Sequence, residues 1–152
     1  MIEEKINQLG FILPDAPKPL ASYVPAIKTG NLVFTAGQLP IKEGSLVFKG
    51  KLGKDLSEDE GKKAAQVCAL NCLSVIKNEI GNLDNIEKII KLTVFVSSAE
   101  GFINHPQVAN GASDLLRDVF GENGKHVRSA VGVAALPLNA PVEIEMICKL
   151  KE

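Results

Sequence analysis

The chain has no tryptophan, a single tyrosine and only 5% aromatic residues, so Val, Ile, Leu and Ala must build its core. Its three cysteines are an odd number, which excludes a complete internal disulfide framework. Arginine is scarce: the 17 basic residues include only Arg117 and Arg128, the rest being lysine. Those 17 are scattered and are balanced by 18 acidic residues, giving a net charge of −1. A dedicated nucleic-acid binder, which relies on clustered Lys and Arg, is therefore not expected. No apolar run approaches the roughly 20 residues that span a bilayer, and no basic stretch with a following apolar core opens the chain. These absences point to a cytoplasmic protein with no membrane partner. Also missing are Gly-x-Ser-x-Gly, His-Glu-x-x-His and a dinucleotide fingerprint. Residues 44–51 imitate a phosphate loop poorly, because five residues separate the glycines and Leu52 follows where Ser or Thr is required.

What is present is ordinary globular composition, 45% hydrophobic and 23% charged over 152 residues. That length suits one domain, and a chain of this size folds without disulfides or metal. Ile2, Ile6, Leu9 and Phe11 recur at helical spacing over 2–11, before Gly10 and Pro14 stop the pattern. A hairpin is predicted from Tyr23–Lys28 and Leu32–Thr35 around Thr29-Gly30-Asn31. The Gly- and Lys-rich segment 38–55 holds one short strand at 45–48. Its Lys49, Lys51 and Lys54 read as a solvated loop or an anion contact.

Ser57-Glu58-Asp59-Glu60 is a capping box that opens a long helix running to about Gly81. Residues 86–96 form a β-branched run without Gly or Pro, a central strand. A second helix spans 105–120 and is closed by Gly121. The last third reads as a hairpin: 127–136 outward, 137–140 turning, 142–150 returning. In 142–150, Val142, Ile144, Met146, Cys148 and Leu150 share one face. The order predicts an α/β (α+β) fold, one mixed β-sheet with two long helices packed on one face. The other face would carry Arg128, Ala130, Gly132, Ala134 and Glu143. A second chain packed there, making a homo-oligomer, would explain such small residues; a partly solvated antiparallel face is the alternative.

Arg128 is the most informative single residue. A guanidinium inside a strand is partly desolvated and must meet an anion or carbonyls. Its fork matches a carboxylate with two parallel bonds; a salt bridge to Glu143 or Glu145 would serve equally. Cys68 and Cys72, at i and i+4 on an apolar helix face, read as buried thiols rather than metal ligands. His105 starts its helix, Arg117 is a surface residue, and His126 is either structural or site-lining.

Residues 128–137 (RSAVGVAALP) followed by Val142-Glu143-Ile144-Glu145 resemble the C-terminal signature of the Rid (reactive intermediate deaminase, YjgF) family. Tyr23, Gly30-Asn31 and residues 35–40 (TAGQLP) resemble its N-terminal block. The match is colinear from about residue 19 onward. The resemblance implies a chorismate-mutase-like fold assembled as a homotrimer, with sites in clefts between subunits. It implies hydrolysis of 2-imino acids and enamines such as 2-aminoacrylate to 2-keto acids and ammonia, without a cofactor. By position, Arg128 would clamp the substrate carboxylate, Glu143 would position water, and Tyr23 and Gly37 would line the site. Asn110 would match the family's helix-borne asparagine. Ala36 stands where many members have Ser, Ala130 where many have Cys, and His126 where Pro or Ala is usual. With an enlarged 104–111 loop, these departures suggest a divergent branch.

Imine hydrolysis asks for a held substrate, one water and a proton for nitrogen, which a carboxylate clamp and one glutamate can supply. In the predicted hairpin Arg128 and Glu143 would lie about 20 Å apart, so one substrate could reach both only across two chains. Two other readings remain: a trimer that binds small carboxylates without turnover, and RNA cleavage, against which the neutral charge speaks.

Overall fold

In the computed structural model, which describes residues 1–19 and 21–152, the capping box forms as the sequence predicts. Glu60 N–H donates to Ser57 Oγ (3.2 Å) and Ser57 N–H donates to Glu60 Oε1 (3.0 Å). Together they satisfy two of the free donors at the start of α2, Glu58–Ile80. Gly81, at φ 85°, ends it. The second long helix, α3 (His105–Phe120), is strongly amphipathic and carries Pro106 in its first turn, so residues 105–111, expected within an enlarged loop, are helical. The helices touch closely at Gly111, where a Cβ would stand 2.2 Å from the Lys62 carbonyl oxygen. No larger residue fits that crossing.

The remaining elements are a short helix α1 (Ile2–Gln8) and strands β1 (Ala26–Thr29), β2 (Leu32–Thr35), β3 (Ile41–Lys42), β4 (Ser45–Leu46), β5 (Ile86–Ser97), β6 (Val127–Val133) and β7 (Val142–Leu150). Five of them form one mixed sheet in the order β1-β2-β7-β5-β6, while β3 and β4 make a separate two-stranded ribbon. The segment 38–55 thus holds two minimal strands instead of one at 45–48. Both long helices cover one face, and the core lies between them and Leu92, Val94, Ile144 and Met146. Cys68 and Cys72 are buried there as expected, each thiol donating to a β7 carbonyl: Cys68 to Val142 (3.5 Å), Cys72 to Ile144 (3.3 Å).

One prediction fails with consequences. The last two strands are not a hairpin: β6 pairs in parallel with β5, and β7 pairs antiparallel with β5 and β2. The link from 134 to 141 does turn, through a short 3-10 helix at Pro137–Asn139, but it crosses over the end of β5. There Ser97 N–H donates to Pro141 O (2.9 Å), Gly50 N–H to Asn139 O (2.9 Å), and Lys51 Nζ to Ala134 O. Lys51 therefore ties its loop to the sheet end and is no free solvated cation.

The faces change accordingly. Ladder partners share a face. Leu92 and Val94 pair with Arg128 and Ala130 on one side and with Met146 and Ile144 on the other. Arg128, Ala130 and, two residues on, Gly132 therefore point toward the helices. Phe95 pairs with Val131 and Glu143, so Glu143 lies on the uncovered face. The expected shared face of Arg128, Ala130, Gly132, Ala134 and Glu143 does not exist. Beside the charged Lys91, Glu143, Glu145 and Lys149, the uncovered face exposes apolar side chains: Ile27 (55% exposed), Phe34 (38%), Val127 (66%) and Val131 (44%).

Candidate active site in two halves

Arg128 sits on the edge strand β6, at a position that faces α3. Its Nη1 donates to Asn110 Oδ1 (2.7 Å) and Ser113 Oγ (3.0 Å), and Nη2 donates to the Pro106 carbonyl (3.1 Å). Pro106, Asn110 and Ser113 are four and three residues apart, hence on one stripe of the helix. All three acceptors are neutral, and no carboxylate among the described residues pairs with the guanidinium. The salt bridge to Glu143 or Glu145 is therefore absent. Three of five donors are used. The two left are on Nε and Nη2, the nitrogens that share one edge of the fork and can grip a carboxylate side-on.

His126 adjoins this group. Its Nε2 lies 2.9 Å from Ser113 Oγ and its Nδ1 lies 2.6 Å from Gly124 O. Burial, assisted by the nearby Arg128 charge, holds its pKa below the ordinary value in spite of the Gly124 bond. Ala130 follows Arg128 on the same face and packs against the core. His105 begins α3 as expected, with Nε2 3.1 Å from Ser98 Oγ and its ring edge-on to Phe102. Arg117 is the exposed residue predicted, paired with Asp114 at 3.3 Å.

Glu143 belongs to a second cluster, on the other side of the sheet. Gly37 lies over it so tightly that a Cβ would come within 2.7 Å of the carboxyl carbon. Glu143 and Gly37 border a cavity of about 200 Å³ walled by Tyr23, Pro17, Pro19 and Pro137, in which Lys18 is the one cation among the described lining residues. Partial burial, and secondly the Glu145 charge, raise the Glu143 pKa above its ordinary value. Ala36 precedes Gly37 and is fixed by donating its N–H to Pro25 O (2.8 Å). Asn71, buried in α2, anchors the same loop by donating to the carbonyls of Leu39 (3.0 Å) and Ile41 (2.8 Å).

The eight candidate residues thus fall into two groups: Arg128, Asn110, His126 and Ala130; and Glu143, Tyr23, Gly37 and Ala36. Along the ladder Arg128 aligns with Leu92 and Glu143 with Phe95, three residues on and two strands over. That is about 14 Å between Cα atoms, on opposite faces. The earlier figure of about 20 Å came from a register that does not form. Sequence reasoning missed Ser113 and the Pro106 carbonyl, although helical spacing from Asn110 would have reached both.

A family model described as "YjgF/chorismate_mutase-like, putative endoribonuclease" matches residues 3–150. The chain belongs to the Rid/YjgF family. Protein TCP17 of Trypanosoma cruzi is 41% identical over 150 residues, covering 98% of this chain and 94% of that protein. The crystal structure of Atu1372 from Agrobacterium tumefaciens superposes with a TM-score of 0.93 at 42% identity, covering 99% of this chain and 92% of that one. A Dermatophagoides farinae protein named 2-iminobutanoate/2-iminopropanoate deaminase is 30% identical over 88% of this chain and 90% of its own length. Atu1372 thus shares the mixed sheet with two covering helices described above. Among the described residues no helix is long and apolar enough to cross a membrane.

Proposed function

We propose that this Rid/YjgF chain is an enamine/imine deaminase, hydrolysing 2-imino acids to 2-keto acids and ammonia in a site shared by two copies of a homotrimer. The observation that carries the reading is the Arg128 fork, held by three neutral acceptors with one edge still able to bind an acid. A substrate carboxylate supplies the missing negative charge through two charge-assisted bonds. The deaminase name of the Dermatophagoides relative supports the reaction class.

Within one chain Arg128 and Glu143 face opposite ways, so a small substrate meets both only where β6 of one copy approaches the Glu143 cavity of another. The exposed apolar side chains on the uncovered face suit such an assembly, since covering them removes Ile27, Phe34 and Val131 from water. Glu143 then orients water toward the imine carbon and takes a proton as the C–O bond forms. That proton passes to nitrogen to give the carbinolamine; its hydroxyl proton then follows, again by way of Glu143, as the carbonyl forms, the C–N bond breaks, and ammonia leaves with the keto acid. A raised carboxyl pKa suits a group that must both accept and return a proton. Neither metal nor organic cofactor enters these steps.

The test is keto-acid formation from 2-iminobutyrate or 2-aminoacrylate above the buffer rate. Mixing chains carrying Arg128→Ala with chains carrying Glu143→Gln checks the shared site directly. Mixed trimers contain some intact pairs and regain activity that neither variant has alone. No recovery after verified subunit exchange would assign both residues to separate functions. Tight keto-acid binding without turnover would make the protein a carboxylate-binding trimer, and RNA cleavage by the purified protein would favour the activity named in the family description.

A further inference from the structure

Ser113 and His126 stand behind Arg128, and their hydrogen bonds can run in only one direction. The Gly124 carbonyl can only accept, so His126 Nδ1, 2.6 Å away, carries the ring proton. In the neutral ring Nε2 is then an acceptor, and the Ser113 hydroxyl 2.9 Å away donates to it. With its proton committed, Ser113 Oγ turns its lone pairs to Arg128 Nη1, 3.0 Å away. Gly124 is itself pinned, because a Cβ there would meet the Leu116 carbonyl oxygen at 2.2 Å. The acceptor that fixes the tautomer is thus seated against the last turns of the helix that carries Ser113.

We propose that Ser113 and His126 are positioning residues for the carboxylate clamp, His126 acting through Ser113 to fix the rotation of the Arg128 fork. This rests on the reading that Arg128 binds the substrate carboxylate. Without the imidazole, the Ser113 hydroxyl is free to donate to the helix carbonyl of Ala109, four residues back, as helical serines do. Its lone pairs then leave Nη1, and the fork loses one of the two contacts that orient that nitrogen. Burial lowers the ring's pKa, which favours the neutral, accepting form.

The experiment measures 2-ketobutyrate affinity by calorimetry, with KM and kcat for 2-iminobutyrate, in Ser113→Ala, His126→Ala, the double variant, His126→Gln and Arg128→Ala. Expected are rises of about tenfold in Kd and KM for each alanine variant, the scale of one hydrogen bond to a charged group, with kcat far less affected. The double variant equals Ser113→Ala alone, because His126 acts through that hydroxyl. Glutamine, whose Oε1 replaces Nε2 as acceptor, restores affinity. Additive losses in the double variant, an unchanged Kd in folded Ser113→Ala, or no rescue by glutamine overturns the inference. If His126→Ala does not fold, Ser113→Ala and His126→Gln decide. Arg128→Ala separates the layers: abolished binding there with unchanged Ser113 and His126 variants sinks only the present inference, whereas wild-type binding there sinks the clamp reading and this one together.

Discussion

The Arg128 half and the Glu143 half of the candidate site are made differently. Arg128 is held by hydrogen bonds: Asn110, Ser113 and the Pro106 carbonyl fix its fork, and a rigid helix carries all three. Glu143 is held by crowding, with Gly37 against its carboxyl and partial burial opposing its charge. One half is an oriented cation with an open edge; the other is an uncomfortable anion that gains from a proton. The contrast is what a clamp and a base respectively require, because a clamp should not move and a base should not be too weakly basic.

Removing either half should cost most. Arg128→Ala is expected to lower kcat/KM by about 10²–10⁴-fold, the loss of two charge-assisted bonds, chiefly through KM. Glu143→Gln is expected to lower kcat by about 10²–10⁴-fold and to raise Tm at neutral pH. The sign follows from its raised pKa: the folded state favours the protonated carboxyl, so its contribution to stability is complete at low pH and is lost as pH rises through the folded pKa. An uncharged amide escapes that loss. For the same reason wild-type kcat should fall on acidification with an apparent pKa above that of an ordinary glutamate, and Glu143→Gln should abolish this limb.

Gly37→Ala sharpens the comparison, since its methyl must displace the Glu143 carboxyl; a shift near 1 Å costs about 10²-fold in kcat, with 2-ketobutyrate still bound through Arg128. Phe34→Glu, on the uncovered face, should shift the proposed trimer toward monomers in light scattering and remove activity while the chain stays folded. The smallest effect expected is that of Ser57→Ala, about 1 kcal/mol of stability from the lost helix cap, read by urea unfolding, with KM unchanged.

Much of this was legible in the sequence because it is written locally. The capping box, Gly81 and Gly121 bound the helices, and an unbroken β-branched run marks β5. Arg128 was conspicuous as one of two arginines, and the family signature supplied Glu143, Gly37 and Tyr23. Strand partnership was not written locally. The alternating residues of β6 are compatible with either neighbour, and a proline turn before β7 mimics a hairpin. The parallel pairing with β5 is set by α3, which must pack across both strands, and by the bonds that carry 134–141 over the end of β5. A wrong partner gave a wrong register, and register decides facing. Hence Arg128 and Glu143 were assigned to one surface when they occupy two. Ser113 was within reach of helical spacing from Asn110, but its bonds to Arg128 and His126 show only once helix and strand are placed together.

The helix bearing Asn110 and Ser113 also seals the interior, through Val108, Ala112, Leu115 and Leu116. Its axis is set on the far side by the Gly111 crossing, where no methyl is tolerated. In the proposed site, recognition of an acid at the molecular edge is therefore gauged from within. A methylene added or deleted beneath this helix would retune ligand selectivity without any ligand-contacting residue having changed.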